Sequence, residues 1–293
     1  MKKSIAGIGV GSGRKESFYF SVLEFFEKEN RWFLKTCQQL REFEYPETED
    51  SLLSWINDFD LSTVIVDFPL SMPPCFDCEL DCPGSVKCPQ LDVIEKRKLV
   101  NDLLQRDQDQ IDNNPKKYEE ERLNNSSLIL SKALKRKLKK GFIPYWNRVE
   151  DVDLWIDYHD DLMKYFKQGL ASFGNENSIQ VLRFKYLERH FPKSVKVLET
   201  NYEVTLLELK RHKIINAKDL GLLGSFDSSD IARETIIKKL EKHFDLFIYE
   251  KDRETLIKKP RAFKSLLLTL AGLDTSNIKD KKFFVTDLNY LKT

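Results

Sequence analysis

The chain has 293 residues with 48 Lys and Arg against 47 Asp and Glu, a net charge of +1, so overall charge identifies no partner and any affinity for nucleic acid must come from local clustering. Hydrophobic residues make up 41% and charged residues 32%, which allows a substantial core in one large or two ordinary domains of roughly 100–200 residues each. The apolar stretch in MKKSIAGIGVGSGRK is too short for a secretory signal, and the run LLLTLAGL at 266–273 falls far below the ~20 residues of a membrane span, so a cytoplasmic protein without membrane partners is expected.

In chain order, residues 5–10 read as a short apolar strand closed by glycines. Phe18–Phe26 (FYFSVLEFF) and Arg31–Leu40 (RWFLKTCQQL) flank a polar turn and predict an antiparallel hairpin. Thr48 is a plausible N-cap for a helix burying Leu52, Leu53, Trp55, Ile56 and Phe59. The run TVIVD at 63–67 reads as a buried parallel strand ended by Phe68-Pro69. Helices are expected near 91–111, 126–140, 151–168 and 178–190, with Gly141 and Gly169 as C-caps. The polar stretch 107–126 is expected to include an exposed loop. A strand at 194–199 follows, then helices through Leu206–Leu209, 229–244 and 261–271. Residues 74–191 form an insertion between the core segments 1–73 and 192–293.

Cys75, Cys78, Cys82 and Cys88 lie in a Pro- and Gly-rich stretch with C-x2-C-x3-C-x5-C spacing. Four thiolates on short spacers suit a tetrahedral structural Zn²⁺; a [4Fe–4S] cluster is the alternative, followed by disulfides or free thiols. Cys37, on a strand, reads as a small core residue.

Residues 132–148 hold Lys132, Lys135, Arg136, Lys137, Lys139, Lys140 and Arg148 without an acid. Leu130, Leu134 and Leu138 recur at helical spacing, so a basic face lies opposite a buried one. Such a face neutralises phosphates, and Tyr145 and Trp146 can stack on unpaired bases, which predicts a DNA or RNA partner. Gly7, Gly9, Gly11 and Gly13 match neither dinucleotide nor P-loop fingerprints, and no His pair has ligand spacing.

Asp67 and Glu199 each end a strand, where two carboxylates can converge on Mg²⁺ or Mn²⁺. The β-β-β-α-β order, VIVDFPLSMP at 64–73 and VLETNYEVTLLEL at 197–209 resemble a domain-of-unknown-function family of predicted RNase H-fold nucleases. The resemblance covers roughly residues 1–73 and 192–275 and implies an α/β fold with an RNase H-like mixed sheet in β-β-β-α-β-α-β-α order. In that family a first-strand Asp, an Asp-x-Pro after the fourth strand, a Glu after the fifth and an acid on the last helix are taken as metal ligands. Asp67 and Glu199 match two of these elements, whereas Gly9 stands at the first-strand position and Lys264 near the last. The resemblance therefore implies a nucleic-acid-binding protein with an incomplete carboxylate set, in which Lys264 can neutralise Asp67 and Glu199. An active nuclease using Asp67 and Glu199 is the alternative; a protein-interaction module has no specific feature in its favour.

Overall fold

The computed structural model describes residues 3–9, 18–40, 52–123, 129–167, 184, 186, 188–225 and 228–273. The expected helix start at Thr48 and the C-cap at Gly169 lie outside the described residues. The chain divides into two compact units, Met1–Leu70 with Glu176–Thr293, and Ser71–Asn175.

The first unit is α/β around one mixed six-stranded sheet of order β5-β4-β1-β2-β3-β6. Its strands are β1 (Lys3–Gly9), β2 (Phe18–Phe26), β3 (Arg31–Leu40), β4 (Thr63–Val66), β5 (Lys196–Glu199) and β6 (Leu246–Phe247). The first three run as an antiparallel meander, and β4 and β5 add parallel to β1, with Ile8 beside Val66 and Val66 beside Glu199. Residues 4–9 are buried on both faces of β1, as a strand covered by helices on each side must be. On one face α1 (Leu52–Asp58) packs Trp55 edge-on to Phe20, with ring centroids 5.2 Å apart.

The other face carries the last described helix. It belongs to the series α6 (Tyr202–Arg211), α7 (Ala217–Leu223), α8 (Ser229–Phe244), α9 (Glu250–Lys258) and α10 (Pro260–Ala271), the numbers α2–α5 falling in the second unit. Pro260 starts α10 at a position where its missing N–H costs nothing. Its backbone lies on the glycines of β1: a Cβ at Gly7 would sit 2.2 Å from the Ser265 carbonyl, and one at Gly9 2.4 Å from the Arg261 carbonyl. Polar contacts sew the seam. The Ser21 and Ser265 hydroxyls are 2.6 Å apart, and Thr269 Oγ1 donates to the Ser21 carbonyl at 3.3 Å. Cys37 is opposite Ser21 and buried in this layer, where burial pushes its thiol up to about 12. Such a thiol is a packing residue.

The second unit contains the 3₁₀ turn Ser85–Lys87 and helices α2 (Leu91–Asn113), α3 (Pro115–Leu123), α4 (Lys132–Lys139) and α5 (Val149–Tyr165). Val93, Val100, Leu134, Leu138, Phe142, Val152 and Trp155 form its core. Of the stretch expected to include a loop, residues 107–123 are described and are helical, with a break at Asn114 before Pro115; residues 124–126 lie outside the described residues. Two i,i+4 amide–carboxylate bonds, Gln105 to Asp109 and Gln108 to Asp112, support the polar end of α2. Buried Asp107 then accepts from Tyr118, from the Leu130 amide and from Lys135, tying α2, α3 and α4 together. No helix among the described residues is long and apolar enough to cross a membrane.

Candidate functional site

Asp67 follows β4 directly, and its carboxylate is ion-paired with the Lys264 ammonium of α10, the two side chains being 6% and 21% exposed. Lys264 also lies 5.6 Å from the centroid of the Tyr202 ring. Glu203, in the first turn of α6, completes the cluster: it feels the attraction of Lys264 and the repulsion of Asp67. Burial raises the Asp67 carboxyl, with Lys264 opposing, and burial likewise raises Glu203. For Lys264 burial works against the charge, yet Asp67 and Glu203 outweigh it and the ammonium is held above its ordinary range. The Tyr202 phenol is raised as well, by burial first and then by Glu203. Two carboxylates thus share one ammonium at the carboxyl edge of the sheet.

Glu199 is elsewhere. It is register-matched to Val66, so the alternation of a strand turns it to the opposite face from Asp67. There it accepts from the Leu70 amide at 2.7 Å. The expected convergence of Asp67 and Glu199 on Mg²⁺ or Mn²⁺ is therefore corrected: among the described residues no three His, Cys, Asp or Glu side chains form a group able to hold a metal ion. Gly9 explains why a first-strand carboxylate has no place, since α10 occupies the volume of its Cβ. Gly9→Ala is expected to cost about 1–3 kcal/mol or more, as overpacking against backbone does, and urea unfolding checks it.

The same finding corrects the zinc and iron–sulfur expectations for Cys75, Cys78, Cys82 and Cys88, all of which are free thiols. Burial raises the Cys75 thiol, and Cys88, Cys78 and Cys82 add to the rise, so the four are neighbours. Among the described residues they form no group able to hold a metal ion. Cys75 donates its amide to the Pro144 carbonyl at 3.0 Å, Gly84 turns the chain at φ 96°, and Cys82 is left exposed.

In the second unit the basic segment divides into an inner and an outer set. Lys135 is bound to Asp107, Lys137 lies 4.0 Å over the Trp155 ring, and Arg148 is buried against Asp151 at 3.0 Å. Burial lowers the Lys137 ammonium despite Asp151, and burial raises Asp151 against the pull of Arg148. These three cations hold the unit together and are not presented to solvent as a binding face. Lys132, Arg136, Lys139 and Lys140 are exposed. At about 100° per residue Lys132, Arg136 and Lys139, with Lys140 at the C-cap, fall on one side of α4, opposite buried Leu134 and Leu138. The following turn exposes Tyr145 by 63% and Trp146 by 45%.

Sequence reasoning missed Glu203. The available signal was a carboxylate in the first helical turn four residues after a strand-end Glu, which places it at the sheet edge whichever face Glu199 takes. In comparisons with protein-family models, curated proteins and solved structures, none matches the chain.

Proposed function

We propose that the protein binds single-stranded nucleic acid, DNA or RNA, through the outer face of α4 and the aromatic pair beyond it in the second unit, and that the first unit is an RNase H-like core that does not hydrolyse this ligand. The observation that carries the reading is the cationic stripe Lys132, Arg136, Lys139 and Lys140, none of which has a carboxylate partner among the described residues. Lys135 and Arg148, which stabilise the unit, are paired with carboxylates, whereas an exposed row opposite a buried seam is free to neutralise phosphates. Exposed Tyr145 and Trp146 add ring faces on which unpaired bases stack.

The strand order β5-β4-β1-β2-β3, with β2 antiparallel to both its neighbours and β4 and β5 parallel to β1, supports the RNase H-like reading of the core. The Asp67–Lys264 pair supports a binder over a hydrolase, because the ammonium supplies the countercharge at the sheet edge.

Fluorescence anisotropy with labelled single-stranded DNA and RNA, titrated across salt concentrations, tests this. The wild type should bind with a steep salt dependence, and the combined Lys132→Ala, Arg136→Ala, Lys139→Ala and Lys140→Ala variant should flatten the log–log slope by up to about 0.7 per lost phosphate contact. Tyr145→Ala and Trp146→Ala should each weaken binding by about 1–3 kcal/mol with the slope unchanged. Salt-independent binding, or a combined variant that binds like the wild type, refutes the proposal.

A further inference from the structure

Along α2, the 3₁₀ turn Ser85–Lys87 and the helix line an open groove of about 440 Å³. That volume is within the ~300–1,000 Å³ range of small-molecule sites. Its lining holds charged and apolar residues, together with Cys88 and Asn101. Lys87, Arg97 and Lys98 bring positive charge, against the single carboxylate of Asp102. Val86 and Ile94 bring apolar surface, and both are exposed, at 86% and 46%. Arg97 is held in place: its Nη1 donates to the Val86 carbonyl at 2.9 Å, which fixes the guanidinium fork across the groove while leaving its other donors to a ligand. None of the three cations is ion-paired to a carboxylate among the described residues.

We infer that this groove binds a nucleotide, its phosphate between Lys87, Arg97 and Lys98 and its base against Val86 and Ile94. Charge complementarity selects an anion, and a guanidinium and two ammonium groups lining one groove suit the charge and donor demand of a phosphate. The apolar wall selects an anion that carries a flat hydrophobic body, which separates a nucleotide from inorganic phosphate. The inference rests on the nucleic-acid reading and adds to it a second contact, able to hold one residue of a strand or a free mononucleotide.

Isothermal titration of the full chain with adenosine 5′-monophosphate, adenosine and inorganic phosphate tests it. The mononucleotide should bind saturably, and adenosine and phosphate each about tenfold more weakly or worse, since each keeps only half of the contacts. Lys87→Ala with Lys98→Ala, both exposed positions, should lower mononucleotide affinity by about tenfold or more, with circular dichroism confirming an intact fold. The α4 alanine variant should bind the mononucleotide like the wild type. No mononucleotide binding, equal binding of phosphate, or indifference to the Lys87 and Lys98 changes overturns the groove. Strand binding that persists without mononucleotide binding defeats this inference alone, and mononucleotide binding without strand binding defeats the α4 reading alone.

Discussion

Lys264→Met is expected to lower the free energy of unfolding by about 3–5 kcal/mol, the usual cost of leaving one member of a buried ion pair alone. The loss falls on Asp67, which stays in the same enclosure with no countercharge, and on Glu203 beside it. Asp67→Asn combined with Lys264→Met should recover much of the loss, because a neutral pair of similar shape needs no compensation. Urea unfolding of the two single variants and the double variant measures the coupling directly.

The pH dependence of the Lys264→Met variant has a definite sign. With the ammonium gone, the buried Asp67 carboxyl is driven further up and is accommodated by taking a proton. The folded state then binds more protons than the unfolded state, so stability falls as pH rises through the carboxyl range. The variant's deficit should therefore shrink in acid and grow toward neutral pH. In the wild type the raised Lys264 ammonium contributes stability that is present below the ordinary lysine range and lost as pH rises through its folded value. A deficit that is the same in acid and at neutral pH excludes this account of the cluster.

The second large effect is expected at Trp155. Its side chain is 2% exposed at the centre of the second unit's core, and Lys137 lies over its ring. Trp155→Ala removes that packing and should cost about 3–5 kcal/mol. The deficit should localise: hydrogen exchange ought to accelerate in α2, α4 and α5, whose side chains share the cluster, and leave the strands of the sheet protected. Lys137 also loses its aromatic neighbour. Equal acceleration throughout both units would show that the cluster is not an independent core.

Those elements whose apolar residues repeat at a clear period are legible in the sequence: the short run of β1, the hairpin of β2 and β3, the continuous run of β4 and the apolar face of α10 all correspond to plain runs. What escaped had weak periods or few residues. The pairing of β6 involves only Leu246 and Phe247, and α3 is almost entirely polar and is held by Tyr118 reaching back to Asp107. Faces were harder than elements. That Glu199 ends a strand follows from its own neighbourhood, but its side of the sheet depends on register with β4, and a one-residue change of register inverts every side chain. The basic helix illustrates the same limit. The spacing of Leu134 and Leu138 indicates which side is buried, whereas the commitment of Lys135 to Asp107 and of Arg148 to Asp151 requires partners from other turns and helices. The Cys75–Cys88 stretch has the spacing of a ligand set, and its thiols lie near one another without forming one.

Gly7 and Gly9 meet a helix that lies some 250 residues further along the chain. During synthesis the meander emerges early, while the backbone that covers this face of β1 does not exist until residue 271 has been added. At about 5–20 residues per second the ribosome takes on the order of tens of seconds to bridge that interval. For that time the bare glycine strand and its apolar neighbours must wait without their lid, so folding yield, more than final stability, should respond to chaperones and to translation speed.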